Sequence, residues 1–311
     1  MLRWRGLDDV PSDWGRSVVT VGVFDGVHRG HQQLINRAVT VARERHLPSV
    51  LVTFDPHPTE VLRPGRHPAQ LTTLTRRAEL VSELGIDAFC VLPFSADLAR
   101  MSADEFVHEV LVERLHAAAV LVGNNFIFGH GARGDVKMLQ QFGRRFGFVA
   151  QGVELITDET GNGITYSSTY IRSCIDGGDV AAAAEALGRP HRVEGVVVRG
   201  DQRGREMGFP TANLAPPPFA AIPADGVYAA RFVHGERRLP AAVSIGTNPT
   251  FSGRQRTVEA YVLDVDEDFY GHQVALDFID RLRGQVRFDG MPALIEQMTR
   301  DVEQVRELLR D

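Results

Sequence analysis

The sequence predicts an α/β protein in two parts. A doubly wound parallel sheet is expected over residues 1–187, and a small antiparallel β-barrel with a closing helix over residues 188–311. Three observations predict this. Apolar, β-branched runs without strict alternation recur between amphipathic segments up to about Val153, as buried parallel strands between helices do. From His191 the pattern changes to short β runs parted by Gly and Pro, which reads as an antiparallel sheet or small barrel. Gly188-Arg189-Pro190 breaks the chain between the two patterns.

Val18–Phe24 reads as a central strand buried on both faces. Asp25-Gly26 ends it, and from near Gly30 a helix sets Leu34, Ile35, Ala38, Val41 and Ala42 on one face until Pro48. Ser49–Phe54 is the next strand, ending in Asp55-Pro56-His57-Pro58. Thr75 is the expected cap of a helix over Thr75–Leu84 that Gly85 stops, and Ala88–Leu92 is a third strand. Ser102 and Glu105 have capping-box spacing and open a helix to Leu115. A fourth strand, Ala118–Val122, runs into Gly123-Asn124-Asn125-Phe126-Ile127-Phe128-Gly129. Asp135–Phe146 is helical and Phe148–Val153 a fifth strand. Ser167-Ser168-Thr169 caps a helix through Ile175, and Asp179–Leu187 forms another. The β runs RVEGVVVRG, GVYAARFV, AAVSIG, TVEAYVLD and QVALDFIDRLR follow. Met291–Leu309 closes the chain, with Leu294, Ile295, Met298, Val302, Val305 and Leu309 on one helical face.

Composition narrows the function. The chain is 43% hydrophobic and 24% charged, ordinary for a globular protein, and its net charge of -6 argues against nucleic-acid binding. The N-terminus lacks a signal-peptide apolar core, and no run approaches the ~18 apolar residues of a membrane span. A cytoplasmic protein is expected. Cys90 and Cys174 belong to no C-x-x-C motif, so reduced thiols are expected rather than zinc ligands. The sole lysine, Lys137, follows Val136, which excludes a Walker-A loop. Phosphate chemistry here must use His, Arg, hydroxyls, backbone amides and metal.

Candidate residues sit where α/β proteins bind ligands, at strand ends that lead into helices. His28 and His31, spaced i and i+3 at a helix start, can polarise an α-phosphate beside orphan amides. Gly22, Phe24, Asp25 and Gly30 of the same strand–turn–helix are candidate ATP-binding positions. A capping role for either histidine is the competing reading. Ser168 and Thr169 suit an anion at a helix start and Arg172 a leaving pyrophosphate, or else they form a plain cap with a surface arginine. Asn125 ends a strand in the layer of His28. Phe126 and Phe128 could stack on a planar ring or pack the core, and Asp55 and His57 end a strand on the ligand side, unless their flanking prolines simply stiffen a turn there. Farther on, Gly200 and Gly208 bound a Gly-rich loop of phosphate-binding or merely turn-forming type. Thr211 and Asn213 share one face of an extended chain, as a hydroxyl and amide able to hold Mg²⁺. Glu259 projects from the face opposite Val258, Ala260 and Val262, where a solvated carboxylate is the ordinary expectation.

Read together, GVFDGVHRGHQQL, TFDPHP, VGNNFIFGHGARGD and SSTYIR resemble the adenylyltransferase module of bacterial bifunctional riboflavin kinase/FAD synthetases. GRPHRVEGVVVRGDQRGREMGFPTANL, PADGVYAARF, SIGTNPTF, VEAYVLD and RLRGQVRFDG resemble the riboflavin kinase module of the same family. The resemblance runs from about Val18 to Asp301. It implies a nucleotidyltransferase domain followed by a kinase barrel, with riboflavin phosphorylated to FMN and FMN adenylylated to FAD, each step using Mg²⁺ and ATP. His28, His31, Asn125, Ser168, Thr169 and Arg172 match the nucleotide motifs; Thr211 and Asn213 would bind Mg²⁺-ATP, and Glu259 would take the proton from the ribityl 5′-hydroxyl. Tyr170 stands where many members carry Arg. Expected partners are the small molecules ATP, riboflavin and FMN, with no nucleic acid and no membrane, for a monomer or weak homo-oligomer. Two alternatives are adenylyl or cytidylyl transfer to another phosphate, which leaves PTAN and Glu259 unexplained, and a non-catalytic flavin sensor.

Overall fold

The computed structural model describes residues 1–154, 165–200, 208–250 and 253–310. They form two compact units, Met1–Pro68 with Thr73–Ser167, and Ala69–Thr72 with Ser168–Asp311.

The first unit contains β1 (Leu2–Arg5), β2 (Ser17–Val21), α1 (Arg29–Glu44), β3 (Ser49–Asp55), α2 (Pro58–Leu62), α3 (Leu74–Glu83) and β4 (Ala88–Pro93). Then come α4 (Ala96–Arg100), α5 (Ala103–Glu105) running on as a π-helix over Phe106–Arg114, β5 (Ala117–Gly123), α6 (Val136–Phe146) and β6 (Val149–Val153). The six strands are parallel in the order β1-β4-β3-β2-β5-β6. Alternation of side chains divides them between two cores. Val19, Val21, Val50, Val52, Val120 and Val122 face one, and Val18, Leu51 and Leu121 meet Ile35 and Ala38 of α1 in the other. Every residue of β2 is buried, the polar Ser17 and Thr20 included, as in a strand covered on both faces.

Three details depart from expectation. β2 stops at Val21 rather than Phe24, because Phe24, Gly26 and Val27 take positive φ values of 53°, 84° and 41°. Thr73, not Thr75, caps α3, its hydroxyl accepting from the Arg76 amide at 3.1 Å. β1 had no clear signal, since only Trp4 of its four residues is buried; pairing with β4 creates it. The Ser102–Glu105 capping box is present as expected.

The second unit holds α7 (Ser168–Gly177), α8 (Val180–Leu187), β7 (His191–Val198), β8 (Ala212–Ala215), β9 (Gly226–His234), β10 (Arg237–Thr250), β11 (Gly253–Val262), β12 (Gln273–Arg283) and α9 (Met291–Leu308). The strands close an antiparallel barrel in the order β10-β11-β8-β7-β12-β9. The compact division falls at Ser167/Ser168, so α7 and α8 pack with the barrel, α8 against β7 and β12, although they precede the Gly188-Arg189-Pro190 break. Ala69–Thr72 joins them: Gln70 N–H donates to Phe219 C=O at 2.6 Å, and Ala221 N–H to Gln70 C=O at 2.8 Å. Val302, Val305 and Leu309 seat the closing helix on Ala229 and Leu263. Both cysteines are free and buried, and burial, aided by Asp9, pushes the Cys90 thiol up to about 12.

Candidate active sites

β2 lies between β3 and β5, and the chain winds away from it in both directions. That is the topological switch point of a doubly wound sheet, whose ligand crevice opens at the carboxyl ends of the strands. The Gly22–His31 turn and Asn125 stand at these two adjacent strand ends.

The turn is built tightly. Gly22 N–H donates to Val52 C=O at 3.1 Å, and a Cβ on Gly22 would lie 3.1 Å from the Phe24 ring. Phe24 is buried in the core, so it offers a ligand only its backbone. Asp25 is buried too, 3.4 Å from an Arg77 nitrogen. His28 caps α1: its Nδ1 accepts from the His31 amide at 3.4 Å, which assigns the ring proton to Nε2. The two imidazoles stack, with centroids 3.6 Å apart and planes 23° from parallel. Gly30 keeps the space beside them open, since a Cβ there would sit 3.2 Å from His28 Cε1. His31 Nδ1 is buried with no hydrogen bond among the described residues. Burial first, then repulsion between protons on the two imidazoles and from the Arg77 charge, hold this imidazole well below its ordinary pKa. It is therefore neutral at pH 7, and a buried ring nitrogen without a partner suits an incoming anion.

The other candidates of this unit separate. Asn125 is exposed in the turn after β5. Phe126 and Phe128 stack at 5.4 Å, but Phe128 belongs to the core with Phe106, and a Cβ on Gly134 would lie 2.8 Å from its ring. His57 caps α2, its Nδ1 accepting from the Thr59 amide at 3.1 Å. Asp55 is exposed at the end of β3. Ser168, Thr169 and Arg172 lie in the first turns of α7, in the second unit, where Arg172 Nε donates to Ala69 C=O at 2.6 Å. Tyr170 bonds Cys174 one turn on, and that bond chiefly pushes its phenol up to about 12.

In the barrel, register gathers what the sequence spread over nearly fifty residues. Glu259 of β11 stands directly opposite Asn213 of β8 and Ser244 of β10. Thr211 Oγ1 donates to Glu259 Oε2 at 3.4 Å. Gly200 packs on the Asn213 amide, where a Cβ would come within 2.4 Å of Nδ2. Glu259 is half-buried among hydroxyl and amide groups rather than fully solvated. Gly208 turns with φ +83°, and the rest of the Gly-rich loop, 201–207, lies outside the described residues.

Sequence reasoning missed two polar links across the barrel. Gln285 donates to Ser244 Oγ at 3.3 Å and to Ile245 C=O at 2.8 Å, beside the Glu259 register position. Asp225 accepts from Thr247 Oγ1 at 3.2 Å and Arg256 Nε at 2.8 Å. No local motif marks either, because each is defined by strand pairing across the barrel.

The FAD synthetase family model matches residues 10–170, and the riboflavin kinase family model matches residues 187–309. The bifunctional riboflavin kinase/FMN adenylyltransferase of Escherichia coli strain K12 is 35% identical over 93% of this chain and 92% of its own. That of Listeria monocytogenes is 36% identical over 93% of this chain and 91% of its own. The chain belongs to the bifunctional riboflavin kinase/FMN adenylyltransferase family. Among solved structures, a crystal structure described as a macrolide-efflux protein from Streptococcus pneumoniae is similar at TM-score 0.89 and 32% identity, covering 98% of this chain and 99% of that one. No described helix of this family member is long and apolar enough to cross a membrane.

Proposed function

We propose that the protein makes FMN and FAD in two steps. The barrel phosphorylates riboflavin, and the α/β unit transfers an adenylyl group from ATP to FMN. One observation carries this reading: the two family models match in tandem, the first over the stretch that holds His28 and His31 and the second over the stretch that holds Thr211, Asn213 and Glu259.

For the kinase step, Glu259 is the base that accepts the proton of the ribityl 5′-hydroxyl as that oxygen attacks the γ-phosphorus of ATP and ADP leaves. The Thr211 hydroxyl and Asn213 side-chain carbonyl are hard oxygen donors of the kind Mg²⁺ favours, and they stand beside Glu259. No cluster of three His, Cys, Asp or Glu able to hold a metal occurs among the described residues, which fits an ion held mostly by phosphates and water. Thr211 and Asn213 would hold it, and it would neutralise phosphate charge.

For the second step, an FMN phosphate oxygen attacks the α-phosphorus of ATP in line, and pyrophosphate leaves without a covalent enzyme intermediate. His28, His31 and the N-terminal amides of α1 stabilise the charge that builds on the α-phosphate. Gly30 and Asn125 stand at the strand ends beside that pair, and Ser168, Thr169 and Arg172 are the anion-binding candidates of the second unit. We assign the adenylyltransferase function to residues 1–187 and the kinase to 188–311. The substrates are small molecules met in the cytoplasm, with no nucleic acid or membrane required.

An acceptor panel tests the second step. With ATP and Mg²⁺, FMN should support pyrophosphate release, whereas nicotinamide mononucleotide and phosphopantetheine should not. Release with either of those and not with FMN would replace this reading with another nucleotidyl transfer.

A further inference from the structure

Arg77 lies in the first half of α3 yet is only 5% exposed, unusual for an arginine on a helix that borders solvent. It reaches the carboxyl ends of two strands. Nη1 donates to Val23 C=O at 3.0 Å and approaches Thr53 Oγ1 at 3.4 Å, and Nη2 meets Asp25 Oδ1 at 3.4 Å. Thr53 Oγ1 itself donates to Val23 C=O at 2.8 Å, so that carbonyl is gripped from both sides. The segment so held is strained: Phe24 and Val27, neither of them glycine, have φ of 53° and 41°. Such backbone persists only where its surroundings over-determine it, and strain of this kind collects at ligand sites. The next residue is His28.

We propose that Arg77 is a positioning residue for adenylyl transfer, fixing residues 23–27 and through them the stacked His28–His31 pair. This rests on the adenylyltransferase reading of that turn. A guanidinium suits the task because its planar fork serves a carbonyl and a carboxylate at once, a task that a lysine, keeping the charge and a single donor point, fulfils only in part. Among the described residues, the titratable and charged groups that act on His31 are His28 of its own turn and Arg77 of α3, with Asp25 reached through Arg77. Arg77 thus also helps to keep His31 neutral until an anion arrives.

The test compares full-length Arg77→Met and Arg77→Lys with wild type. In the Met variant kcat for FAD formation from FMN should fall about 100-fold, the scale of a misplaced catalytic group. The KM values for ATP and FMN should stay within about threefold, and riboflavin phosphorylation should be unchanged. The Lys variant, keeping the charge but not the fork, should recover to within about tenfold of wild type. A folded Met variant with wild-type kcat overturns the proposal, as does a Lys variant no better than Met. If the Met variant does not fold, a folded Lys variant with undiminished kcat overturns it alone. If wild type forms no FAD from FMN, the functional reading fails instead, and NMR titration of the His31 ring judges Arg77 independently. Loss of the Arg77 charge should move that midpoint up in Met and leave it in place in Lys; an unmoved midpoint in Met overturns the placement.

Discussion

His28 does two jobs with one ring. Its Nδ1 accepts the His31 amide and starts α1, while its face stacks on the His31 imidazole. The capping and catalytic readings of this residue are therefore compatible, and mutation can separate them. Asparagine is a good N-cap, so His28→Asn should keep α1 within about 1 kcal/mol of wild-type stability in a thermal melt. Adenylyl transfer should nonetheless fall by about 10²–10³-fold, the cost of losing one transition-state donor, with riboflavin phosphorylation intact. Undiminished FAD formation would leave His28 a cap and nothing more. Phe24 and Phe128 show the opposite outcome: motif positions whose side chains turn into the core. A single chain of letters gives Phe128 no partner, whereas the structure gives it Phe106 and the bare face of Gly134.

Elements with a strong period were legible. α1 and α6 begin and end close to where apolar spacing and caps place them, and the Ser102–Glu105 box forms as its spacing requires. Weak elements were not. β1 is short and mostly exposed, and nothing in LRWR distinguishes it from a charged tail until β4 supplies its hydrogen bonds. Arg77 was equally hidden, because on a helix an arginine reads as solvated. The closing helix has its own concealed anchor. Asp301, 2% exposed, accepts from Arg283 Nη2 at 2.7 Å and from Gln297 Nε2 at 2.8 Å. Removing one partner of a buried ion pair strands the other, so Asp301→Ala should cost about 3 kcal/mol in denaturant unfolding. A change below about 0.5 kcal/mol, the scale of an ordinary surface substitution, would show that α9 is held by its apolar contacts alone.

At the scale of the molecule, two patterns along the chain became two compact units, and the change from helix-spaced to strand-spaced sequence was visible. The Gly188-Arg189-Pro190 break marks where barrel strands begin; it does not reveal that α7 and α8 group with the barrel, since that depends on how the face of α8 fits β7 just after it and β12 far along the chain. Nor does any local signal join Ala69–Thr72 to residues 219–221. The candidate site residues followed the same rule. The His28–His31 turn is local and was legible, whereas Glu259, Asn213 and Ser244 meet only through barrel register. The central claim is that one chain performs both steps, each at its own site. Wild-type protein with riboflavin, ATP and Mg²⁺, followed by chromatography, should give FMN first and FAD after it. Glu259→Gln should give neither from riboflavin, with phosphorylation down by about 10²–10⁴-fold, yet still form FAD when supplied with FMN. Absence of both products from the wild type, or FAD made from riboflavin at full rate by Glu259→Gln, would contradict the account.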